Sequence, residues 1–128
     1  MELSPTTPIC LMSKKAVHIL LIGFAVLGFA ALIYHMVGAI KPFDSTPAWR
    51  HSLFIGINII CLYGLLKRPS WFVWFWGVLT VQQLYSHGSH FIRLLSEGKF
   101  IWIDFGVLLL MPLGFILLLA DKKSTSNS

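Results

Sequence analysis

Five side chains in this sequence could hold a metal ion or move protons: His35, His51, His87, His90 and Asp104. Imidazole and carboxylate together suit zinc, copper(II) or non-haem iron, and two imidazoles on facing helices are enough to ligate a b-type haem. Gln83, His87 and His90 are separated by four and three residues, so on a helix they line one face; His51 and Asn58, seven apart, do the same on another. If those faces meet, three segments contribute imidazoles and a fourth a carboxylate. Gln83 and Asn58 would then form a hydrogen-bonding floor, with Tyr34 and Tyr85 at the margin. The competing structural reading is that rings and long stems sit comfortably at the headgroup level of a membrane, and that Asn and Gln bridge helices. On that reading His90, three residues before Arg93, and His18, near the start of the first span, are interfacial rings.

The segments that must position these residues are apolar blocks. The chain of 128 residues is 56% apolar and 12% charged, with a mean hydropathy of +0.77. Its apolar residues fall into four runs, each near the ~20 residues that cross a hydrocarbon core. The expected fold is therefore all-α: an integral membrane four-helix bundle, up-down-up-down, with short loops and helices over residues 16–40, 47–66, 71–93 and 100–120. Residues 1–13, with Pro5 and Pro8, read as a flexible tail, residues 14–123 as the transmembrane domain, and 124–128 as a second tail. The first run is too long for the apolar core of a signal peptide, ~7–15 residues, and is expected to be retained.

Start and stop signals divide the runs. Thr46 before Pro47 and Ser70 after Pro69 are candidate caps, and the turn Lys67-Arg68-Pro69-Ser70 predicts that the second and third helices are antiparallel neighbours. Pro112 predicts a bend in the fourth helix, and Gly23, Ala25, Gly28, Ala30 and Ala31 give the first a small-residue face. Each half also reads as a long helix with a late His, a short loop, then Trp followed two positions later by a polar group. Trp49/His51 corresponds to Trp102/Asp104, a pattern that suggests a parallel repeat.

The net charge of +5 does not mark a nucleic-acid surface, because the ten Lys and Arg sit singly or in pairs at the edges of the apolar runs. Lys14, Lys15, Lys67, Arg68, Lys122 and Lys123 fall on one side, and Lys41, Arg50, Arg93 and Lys99 on the other. Six against four places both termini in the cytoplasm, with a bacterial inner membrane expected rather than an organellar one. Cys10 and Cys61 form no disulfide framework or CxxC motif. No phosphate loop, nucleophile elbow, HExxH or dinucleotide fingerprint occurs.

Gly64-Leu65-Leu66-Lys67-Arg68-Pro69 ahead of an aromatic third helix resembles DoxX-type membrane proteins in layout and in this one turn; the resemblance implies no residue roles or activity. Three functions remain open. One is metal or haem binding by His35, His51, His87, His90 and Asp104, with redox chemistry as an option. Another is a non-enzymatic accessory subunit or assembly factor of a larger membrane complex. The third is a proton-coupled carrier, for which four helices would call for a homo-oligomer. In each the lipid bilayer is the principal partner.

Overall fold

The computed structural model describes residues 12–41 and 46–126. It contains four helices: α1 (Lys14–Ile40), α2 (Ala48–Lys67), α3 (Phe72–Ser96) and α4 (Trp102–Ser126). Nearly all of the expected N-terminal tail, most of the loop after α1 and the last two residues lie outside the described residues. α4 runs to Ser126, beyond the end expected at residue 120.

The helix ends follow local chemistry, with two departures from expectation. Ser13 caps α1, its hydroxyl accepting from the Ala16 amide at 3.1 Å. At α2, Pro47 rather than Thr46 takes the cap position, and at α3 Trp71 rather than Ser70 does so, neither with a side-chain capping bond. α2 ends at Arg68, which adopts the left-handed region (φ 51°) and returns its N–H to the Gly64 carbonyl at 2.8 Å; Pro69 prevents continuation. α3 ends in a Schellman motif: Gly98, at φ 73°, donates to Leu95, and Lys99 donates to Leu94.

Three helices are long and apolar enough to cross a membrane: Lys14–Ile40, Ala48–Lys67 and the Trp102–Lys122 part of α4. α3 is long enough, but Thr80, Gln82, Gln83, Ser86, His87, Ser89 and His90 dilute its apolar character. Of the four expected spans, three thus have the length and apolar character to cross a membrane. The helices pack chiefly as α1 on α2 and α3 on α4, with α1 also against α4. The turn at Lys67–Ser70 does not make α2 and α3 close neighbours along their lengths, which corrects the expectation drawn from that turn.

A compact core lies among Leu21, Phe24, Leu65, Phe72, Trp76 and Leu117. Gly64 lets it close: any Cβ there would occupy the position of the buried Phe72 ring. α3 and α4 are pinned by polar bonds to one carbonyl beside Pro112. The Trp76 indole donates to Met111 O at 3.1 Å and the Thr80 hydroxyl approaches it at 3.3 Å. Outside the core, large apolar side chains such as Val26, Phe29, Val78, Val81, Ile103 and Ile116 are exposed. A water-soluble monomer of this size rarely shows so continuous an apolar surface.

Candidate functional site

The end of α1 and the start of α2 bring His35 and His51 together, with their Nδ1 atoms 3.1 Å apart. This is a hydrogen bond when one ring carries its proton on Nδ1 and the other presents a lone pair there. His51 is almost wholly buried, at 1% exposure. It can sit there because Gly38 faces it: a Cβ on Gly38 would come within 2.6 Å of the ring. Phe54 stacks on His35 with ring centroids 5.0 Å apart, and Tyr34 meets both imidazoles edge-on.

The corresponding ends of α3 and α4 build a different group. Asp104, in the first turn of α4, is buried and accepts from two imidazoles at once. His87 Nδ1 lies 2.6 Å from one carboxylate oxygen, and His90 Nδ1 lies 2.6 Å from the other. The three-residue spacing of the histidines puts both rings on the face of α3 that meets Asp104. A buried carboxylate needs donors on both oxygens, and these contacts supply them with charge-assisted bonds. Each imidazole that donates from Nδ1 keeps a lone pair on Nε2 for a ligand or a proton.

The five residues therefore meet as two groups, one between each helix pair. Among the described residues, no three His, Cys, Asp or Glu side chains are arranged so as to hold a metal ion. The expected floor is not assembled as drawn. Asn58 spends its amide on the Phe54 carbonyl of its own helix at 2.8 Å. Gln83 is buried on the inner face of α3 as expected. Tyr34 lies at the margin, but Tyr85 is 81% exposed, since two positions from Gln83 and His87 is about 200° around the helix. His90, which the sequence casts as surface decoration, holds half of the carboxylate.

Sequence reasoning missed the polar network at the other end. Arg68 bonds Asp121 at 3.2 Å through Nη1 and His18 Nδ1 through Nη2, so residues 18, 68 and 121 join three helices. The available signal was charge placement: Arg68 and Asp121 both close apolar runs that end on the same side. Comparison with family models, with curated proteins and with solved structures finds no match.

Proposed function

We propose that this chain is an integral membrane protein of four spans, up-down-up-down, that binds a transition metal ion at its histidine end through imidazoles oriented by Asp104. The observation that carries the reading is the shared carboxylate. His87 and His90 each give Nδ1–H to a different oxygen of buried Asp104. A carboxylate in this position fixes the tautomer and raises the basicity of Nε2, the nitrogen left to face a metal. Asp104 is then an orienting residue rather than the ligand the sequence suggests.

The His35–His51 pair supports the same chemistry. Two nitrogens on one tetrahedral zinc, with Zn–N bonds of ~2.0–2.1 Å, stand roughly 3.3 Å apart; the two Nδ1 atoms stand at 3.1 Å. Axial ligands of a haem lie on opposite sides of the iron, roughly 4 Å apart by the same bond lengths, so the pair suits neighbouring ligands of one ion better than haem b. Zinc would make this a binding or delivery site, whereas copper or iron would open it to redox chemistry.

The exposed apolar belt supports the membrane setting, and the polar face of α3 fits a span whose polar side turns into the bundle. Basic residues favour cytoplasmic termini, in a bacterial inner membrane. A second copy or a larger membrane complex would cover part of the belt.

Titration of the gently purified protein with Zn(II) and Cu(II) tests the proposal. It expects stoichiometric binding, weakened about 10–100-fold in Asp104→Asn and lost in His87→Gln/His90→Gln. Binding absent, or indifferent to both changes, overturns it. The hydrogen bond between His35 and His51 favours a second reading, in which the imidazoles relay protons. That reading expects proton flux into vesicles holding the protein, and the loss of this flux in His51→Gln with the fold intact.

A further inference from the structure

At the end opposite His35, His51, His87 and His90, a cavity of about 240 Å³ opens between the α2–α3 turn and the end of α4. Arg68, Ser70 and Lys122 supply its polar wall, and Phe72, Val73 and Leu118 its apolar wall. Arg68 is held in place on three sides: Nε donates to the Leu65 carbonyl, Nη1 to Asp121, and Nη2 meets His18. A guanidinium has five N–H groups, so one remains on each terminal nitrogen, fixed beside the cavity. Asp121, the acid on this wall, has an oxygen engaged by that guanidinium.

Lys122 connects this cavity to a second feature. Its ammonium lies 5.4 Å from the centroid of the Trp74 ring. Trp74 in turn stands at one end of a groove along the α3/α4 seam, whose walls include Gly77, Val78, Val81 and Phe115 and are almost wholly apolar. A fixed guanidinium and a lysine beside an apolar track make a receptor with a cationic head and a greasy stem.

We propose that this surface binds an anionic phospholipid, its phosphate held by Arg68 and Lys122 and one acyl chain lying in the groove beside Gly77 and Phe115. The charge selects the occupant. A zwitterionic lipid would bring its own cation to the two basic groups, and a second copy of this chain would bring another basic end. Arg68 supplies directional N–H donors and Lys122 a point charge, the pairing that recognises phosphate oxygens.

The test uses the full chain in phosphatidylcholine vesicles containing small, equal mole fractions of brominated phosphatidylglycerol or brominated phosphatidylcholine. Quenching of Trp74 is isolated by difference from Trp74→Phe. The expected result is stronger quenching by the anionic lipid, with the preference cut about fivefold in Lys122→Gln and unchanged in Lys99→Gln at the other end. Arg68→Gln should cut it too, but Arg68 also joins three helices, so the exposed Lys122 is the deciding position. Equal quenching by the two lipids overturns the proposal, as does a preference that survives Lys122→Gln. A preference erased by inorganic phosphate also overturns it, because the site would then belong to the free anion.

Discussion

The two helix pairs make the same contact with different chemistry. In α1/α2, His35 meets His51 sixteen residues later; in α3/α4, His87 meets Asp104 seventeen residues later. The first joint is an imidazole pair, which needs one proton placed on one ring and absent from the other. The second is a carboxylate with two donors, which tolerates either protonation state of its histidines. Each pair thus joins its helices through a histidine near the end of one and a polar side chain near the start of the next. The difference between them is one of charge: only the second joint contains a carboxylate that can accept from both of its partners.

The largest effect should come from stranding the acid. His87→Leu with His90→Leu leaves the buried Asp104 carboxylate without its two donors, at a cost of about 3–5 kcal/mol. Adding Asp104→Leu should restore most of that stability, because no charge is then left unpaired. Unfolding in a denaturing detergent measures both variants. If the triple variant is no more stable than the double, the clamp is not what holds this end of α3 and α4.

The α1/α2 joint should be more sensitive to shape than to charge. Gly38→Ala would drive a methyl into the His51 ring, and such overpacking costs about 1–3 kcal/mol. His35→Phe should cost less, about 0.5–1.5 kcal/mol for one neutral hydrogen bond, since a ring that stacks on Phe54 remains. A His35→Phe variant less stable than Gly38→Ala would mean that this joint, too, is electrostatic.

Acidification should separate the two joints with a smaller effect. Once both His35 and His51 are protonated, two N–H groups face each other and the bond is lost, whereas protonated His87 and His90 still donate to an ionised Asp104. Spin labels at exposed Met36 and Leu53 should therefore move apart as pH falls, in a background with both cysteines replaced. Labels at exposed Ile92 and Ile103 should hold their distance over the same range.

Much of this was legible in the sequence. Four apolar runs gave four helices, because in so greasy a chain the run itself is the element. The face shared by Gln83, His87 and His90 followed from helical spacing. Roles were not legible. Whether Asp104 ligates an ion or orients a ring depends on which atoms meet, and spacing does not encode that. Helix neighbours are not encoded for a similar reason: the tight turn at Arg68 fixes where α2 and α3 join, while side-chain fit decides which helices lie together. Gly38 carries no signal of its own in the sequence, because its role is set by the His51 ring on another helix.

The most direct measurement is ¹⁵N nuclear magnetic resonance of the imidazoles in lipid, before and after one equivalent of Zn(II). His87 and His90 are expected to keep their Nδ1 protons on Asp104 throughout, while the Nε2 resonances of both shift on adding the ion. Nδ1 signals that lose their protons to the metal, or Nε2 signals that do not move, would contradict it.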